Sequence, residues 1–279
     1  MKSLWNWIVS FFTKAAPAPK PMPVANPVPA PSVGSIASGS TTGANVPPKQ
    51  TWDGTSEVPG VDTAHYQDAM TAADWLSLFA KGFRWMYPKA VDGANGPDSY
   101  FAESKILAKA AGFLCFAGYC FFRFDQDPIA QAEALVKVTG GVKSGELPCV
   151  IDCEWDNASK DPGYHDSDHG GTRQLIDGPG EEKLYACLCK VQELTGITPW
   201  LYGSTGFLIF KSPARFARFP FIVANYSAKT PDGKVPLPLP WVQETARQYS
   251  GSLTAGKAGE IDGDRFLGTL DQLKAYVKP

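Results

Sequence analysis

The chain has 279 residues, 44% of them hydrophobic, which is enough to fill one barrel-sized domain or two smaller ones. A formal net charge of −2, with no run of Lys or Arg, gives no electrostatic reason to bind nucleic acid, and that function class is set aside. The six cysteines, Cys115, Cys120, Cys149, Cys153, Cys187 and Cys189, lie in or beside apolar segments without zinc-ligand spacing, so they read as small core residues with free thiols.

In chain order, residues 1–15 come first. On a helical projection Leu4, Trp5, Ile8, Val9, Phe11 and Phe12 share one arc, with Asn6, Ser10 and Thr13 opposite, an amphipathic pattern. The apolar stretch is far short of the ~20 residues a spanning helix needs. A membrane-surface or partner-docking helix through residues 4–12 is one reading. A secretory signal is the other, since Lys2 precedes the apolar core and Ala15, Ala16 and Ala18 follow it. Residues 16–57 alternate Pro with Ala, Val and Lys, then pass into Gly and Ser. This composition cannot bury enough apolar surface to offset its ordering entropy, so it reads as a linker.

From residue 58 to 279 short apolar runs alternate with helical patterns, the mark of βα units. The strands are expected at Val58–Asp62, Phe83–Pro88, Phe113–Phe122, Cys149–Glu154, Pro199–Gly203, Phe221–Asn225 and Ala246–Ser250, with a short one near Ile261. Helices are expected at Ala72–Lys81, Tyr100–Ala111, Pro128–Val138 and Glu181–Thr195; Asp127 caps the third, and Gly82, Gly112 and Gly196 end the others. The predicted fold is therefore α/β, an irregular (β/α) TIM-like barrel with helices missing from its second half.

Such barrels place their chemistry at the C-terminal ends of the strands. Those ends supply Asp62, Lys89, Tyr119, Asp152 with Glu154, Tyr202, Tyr226, Gln248 with Tyr249, and Asp262. In Pro148-Cys149-Val150-Ile151-Asp152-Cys153-Glu154, strand alternation sends Asp152 and Glu154 to one face roughly 6 to 7 Å apart along the backbone. Aromatic faces stack on pyranose rings, and carboxylates bind hydroxyls and move protons, so the set suits a sugar substrate. Singly each has a bland alternative: Tyr119 and Tyr202 as core residues, Lys89 as a solvated charge, Asp262 or Asp264 as the cap of a final helix.

Several segments, in order, resemble the glycoside hydrolase family 25 lysozymes, which include many bacteriophage endolysins. Gly60-Val61-Asp62-Thr63-Ala64-His65-Tyr66-Gln67 is similar to the family's opening strand, and Lys89-Ala90-Val91-Asp92-Gly93 with Asp98 and Phe101 to its second. Gly118-Tyr119, Gln131-Ala132, Leu147 to Glu154, Leu201-Tyr202, Ala224-Asn225-Tyr226, Arg247-Gln248-Tyr249-Ser250 and Ile261-Asp262-Gly263-Asp264-Arg265-Phe266 follow in the family's order. Thr63, Asp92, Cys120 and Arg247 depart from the usual Ser, Glu, His and Trp, and the last two imply an altered sugar-binding cleft.

The resemblance implies a muramidase acting on peptidoglycan glycan strands, with catalytic residues Glu154, Asp152, Asp62 and Asp262 and no metal or other cofactor. Glu154 is expected to be the general acid, and Asp152 to stabilise positive charge at the reacting sugar. Asp62 and Asp262 would orient these two, and Lys89, Tyr119, Tyr202, Tyr226, Gln248 and Tyr249 would bind substrate. The one-residue separation is nearer the ~5 to 5.5 Å of retaining glycosidases than the ~6.5 to 9.5 Å of inverting ones, so net retention is expected.

The chain is expected to be a monomer. The endolysin reading puts it in a host cytoplasm before lysis and at the cell wall afterwards, with contact to a membrane or virion through its N-terminal segment. A non-catalytic wall-binding or virion module is the alternative; a family 18 chitinase-like barrel is disfavoured because Pro148, Cys149, Val150 and Ile151 leave no D-x-x-D-x-D-x-E strand. His165 and His169 could bind an ion on a helix, but Pro162, Gly163, Gly170 and Gly171 predict a solvated loop.

Overall fold

The computed structural model describes residues 55–67, 69–154, 178–205, 207–208, 210–226, 235–255 and 259–279. The expected N-terminal helix, all of the linker up to residue 54 and the His165–His169 loop lie outside these residues. Glu57, assigned to the linker, opens the first strand.

Eight strands close a barrel in sequence order: β1 (Glu57–Thr63), β2 (Trp85–Asp92), β3 (Leu114–Phe121), β4 (Leu147–Asp152), β5 (Trp200–Ser204), β6 (Phe221–Ala224), β7 (Ala246–Thr254) and β8 (Glu260–Leu267). Helices α1 (Ala72–Ala80), α2 (Phe101–Ala110), α3 (Pro128–Thr139) and α4 (Gly178–Thr195) fill the first four crossovers, and α5 (Leu270–Lys274) ends the chain. Among the described residues between β5 and β6 a short 3-10 turn, Pro213–Phe216, stands where a helix would, as expected for the second half.

Local chemistry explains the helix starts. Thr71 and Asp74 form a reciprocal capping box on α1. Asp127 accepts the Ile129 and Ala130 amides at 2.9 and 2.8 Å, Pro128 begins α3, and Gly140 ends it at φ 66°.

The sequence pattern did not foretell the direction of the last strand. β8 runs antiparallel to both β7 and β1, so Asp62 pairs with Asp262 and Gln248 with Asp264. Asp262 therefore reaches the barrel mouth from near the start of a full-length strand, not from the end of a short one. Neither it nor Asp264 caps α5; Thr269 does, accepting the Gln272 amide at 3.2 Å.

The barrel interior is layered. Trp85, Phe116, Trp200 and Phe266 plug its lower half, with ring centroids 5.0 to 6.3 Å apart along that series. Gly60 makes room for this plug, because a Cβ there would stand 2.2 Å from the Trp85 ring. Tyr87, Tyr119 and Tyr202 form the next layer, and the acids lie above them at the mouth. Outside the barrel, Cys120, Cys149, Cys153 and Cys187 pack with Leu135, Leu184 and Leu188 in one apolar cluster, so these four thiols serve as core residues.

Candidate active site

Each strand delivers its side chain by the period-two alternation of an extended backbone. On β4, Asp152 points into the mouth and Cys153 into the outer apolar cluster; Glu154, just past the strand, faces inward again. On β3 the alternation breaks at Gly118, whose φ is 150° and where the register with β2 shifts. Phe116 and Tyr119 therefore both face inward, three residues apart, and Cys120 faces out.

The mouth brings together Asp62, Lys89, Tyr119, Asp152, Glu154, Tyr202, Tyr226, Gln248 and Asp262 in one pocket. Tyr249 is not among them: Gln248 takes the inward position of that pair, and the Tyr249 ring lies beneath the Arg265 guanidinium, 4.1 Å from its carbon. The expectation that Arg247 and Cys120 reshape the cleft is also corrected. Arg247 is buried against Glu244, Cys120 belongs to the outer core, and neither lines the pocket.

Gln248 is the hub. Its Nε2 donates to Asp62 Oδ2 at 2.7 Å, while its Oε1 accepts the hydroxyls of Tyr202 at 2.7 Å and Tyr226 at 2.5 Å. One amide thus ties β1, β5, β7 and the segment after β6 together. Lys89, 2% exposed, donates to Asp92 Oδ2 at 3.0 Å, and its ammonium lies 5.1 and 4.8 Å from the Tyr66 and Phe121 ring centroids. Asp92 also receives Arg123, and these cations hold its carboxyl below the usual range against the effect of burial.

The acids behave in the opposite way. Burial, followed by the charge of Asp262, pushes the Glu154 carboxyl up to about 7, with the Lys89 ammonium opposing. Asp152 is raised by burial and then by Glu154, again with Lys89 opposing, and its Oδ1 is buried without a hydrogen-bond partner among the described residues. Asp62 is raised by burial and by Asp264 and Asp262, and Asp262 by burial. Burial thus favours the neutral form across the cluster, and Glu154, at about 7, is poised to give a proton to a leaving group. Among the described residues no group of three or more His, Cys, Asp or Glu side chains is arranged to hold a metal ion.

A family model described as glycosyl hydrolases family 25 matches residues 61–257. The chain belongs to that family. Lysozyme M1 of Streptomyces globisporus is 29% identical over 228 residues, covering 80% of this chain and 72% of the relative. Among solved structures, the muramidase from Trichobolus zukalii superposes with a TM-score of 0.62 at 26% identity, covering 79% of this chain and 99% of its own. A family GH25 lysozyme from Aspergillus fumigatus has the same fold, with a TM-score of 0.65 at 21% identity over 80% of this chain and 100% of its own. As a family 25 member the protein is a glycoside hydrolase with lysozyme-type activity.

The family 25 pocket also contains groups that sequence reasoning passed over. Tyr66, Gln67 and Tyr87 line it, and Tyr66 stands 74% exposed at its lip. Asp264 lies directly below, with Oδ1 3.1 Å from the Tyr87 hydroxyl. The signal was available for two of them: Tyr87 precedes Lys89, and Asp264 follows Asp262, by the same two-residue step that identified Asp152 and Glu154.

Proposed function

We propose that this protein hydrolyses the β-1,4 bond between N-acetylmuramic acid and N-acetylglucosamine in peptidoglycan, with Glu154 as general acid and then base. The observation that carries this reading is the pairing of an acid held near neutrality with a buried, unpartnered acceptor on the same strand end. Glu154 is the more accessible of the two and protonates the leaving oxygen. Asp152 offers its free oxygen to the 2-acetamido N–H or to the positive charge that grows at the anomeric carbon. Asp62, held by Gln248, and Asp262 orient the pair and the incoming water. Tyr119, Tyr202, Tyr226 and Tyr66 supply aromatic and hydroxyl contacts to the sugar rings, and Lys89 supplies a cation beside the two reacting acids.

Incubation with purified peptidoglycan tests the reading. A new muramic acid reducing end is expected, released first as the β-anomer; a new glucosamine end, a freed peptide or no product would overturn it. Replacing Glu154 by Gln is expected to lower kcat by about 10²- to 10⁴-fold or more, since it removes a transferable proton and little volume.

The biological setting favoured is that of a phage endolysin, in which residues 1–15 engage a membrane and residues 16–57 let the barrel reach the wall. Removal of residues 1–54 should spare hydrolysis of purified peptidoglycan and weaken lysis of intact cells. Equal potency of the two forms on both substrates would exclude this role.

A further inference from the structure

Below the reacting acids, the structure leaves one buried carboxyl that the mechanism does not use. Asp264 is 0% exposed, and its β8 position pairs with Gly60 of β1 and Gln248 of β7, which places it in the barrel wall beneath Asp62. The groups facing it are Asp62 from β1, Tyr87 from β2, and Asp262 two residues before it on β8; Tyr249 on β7 lies near enough to feel its charge. Among the described residues no ion pair includes Asp264, and its Oδ2 is buried with no donor.

The pair is short of donors. Asp62 and Asp264 lie within hydrogen-bonding reach of each other, yet two ionised carboxylates are acceptors only. Two donors serve the pair. Gln248 Nε2 is committed to Asp62 Oδ2, and the single Tyr87 hydroxyl, 3.1 Å from Asp264 Oδ1, also reaches Asp62. Two negative charges at this depth, without a cation, would leave the pair repelling and one oxygen bare. One more proton resolves both. It belongs on Asp264, because Asp62 already has the Gln248 amide to stabilise its ionised form and is 5% exposed, whereas Asp264 is fully enclosed.

We propose that Asp264 is a positioning residue: it stays protonated through the catalytic cycle and donates a hydrogen bond to Asp62, fixing that carboxylate against Gln248. The effect passes outward, because Gln248 is the common acceptor for Tyr202 and Tyr226 at the sugar-facing wall. Asp264 touches neither substrate nor the reacting atoms.

The test compares two variants of the full chain. D264N keeps a donor toward Asp62, and D264L removes it at similar volume. D264L is expected to turn over about tenfold more slowly than D264N, as for loss of one charge-assisted hydrogen bond, with KM for soluble glycan unchanged between them. Equal kcat in the two folded variants overturns the proposal. Infrared spectroscopy of the unliganded protein at pH 7 provides a readout independent of turnover: the C=O stretch of a protonated carboxyl present in the wild type must be lost in D264N. A difference spectrum without that loss overturns the proposal even if D264L fails to fold. The kinetic arm rests on the muramidase reading; should the wild type leave peptidoglycan intact, that reading fails, while the infrared arm still decides the state of Asp264.

Discussion

Replacing Glu154 by Gln should cost the enzyme its activity and yet stabilise the fold, in a manner that depends on pH. In the native pocket the Glu154 carboxyl titrates near 7 rather than at its ordinary 4.5, chiefly because it is buried and secondarily because Asp262 faces it. Between those two pH values the folded chain holds a proton that the unfolded chain has released. Stability must therefore fall as pH rises through this window. The interval corresponds to about 3 kcal/mol, fully expressed above the native titration point and absent below the unfolded one. The amide that replaces the carboxyl in E154Q has no proton to lose and escapes the effect. Urea unfolding of wild type and E154Q at a series of pH values from 4 to 8.5 measures the difference directly. The advantage of E154Q should grow by about 3 kcal/mol from the acid to the alkaline end of that series. A difference that stays constant, or that shrinks as pH rises, would show that Glu154 is not held in its protonated form by the pocket.

Three further outcomes follow from the same electrostatics and geometry. Asp262→Asn removes a charge that raises Glu154, so the alkaline limb of kcat/KM should move to lower pH; because burial is the larger cause, the movement should be less than about one pH unit. Lys89→Met removes the opposing cation and should move that limb to higher pH, so displacement of both variants in one direction would refute the assignment of Glu154. Tyr66→Ala should raise KM for soluble glycan by about fivefold or more through loss of a stacking face, whereas Tyr249→Ala should leave KM within about twofold, as initial-rate kinetics would show.

Much of this site was legible because strands expose their chemistry at a fixed step. Asp152 and Glu154 declared themselves by that step, and Asp62, Lys89, Tyr202 and Gln248 by their places at the ends of apolar runs; all line the pocket. The same rule, applied one residue out of phase, put Tyr249 beside Gln248 in the cleft, although neighbours on a strand must face opposite ways. Cys120 was legible from its apolar setting as a core residue, and it is one; only its place in the family's motif pointed to the cleft, and alternation from the inward Tyr119 turns it away. The direction of β8 was hidden. Alternation encodes which side chains share a face but not which way a strand runs, so Asp262 was correctly placed at the mouth on the wrong geometrical premise.

The reversed closing strand also determines when the enzyme comes into being. Asp62 and Asp262 sit opposite each other across the seam where β8 meets β1, so the first and last strands each add one acid to the pair held at the end of β4. A growing polypeptide that has emerged only as far as β7 has Glu154 and Asp152 in hand but neither their partner across the seam nor the last stave of the barrel. Completion of both the barrel and the acid cluster therefore waits for Glu260–Leu267 to dock.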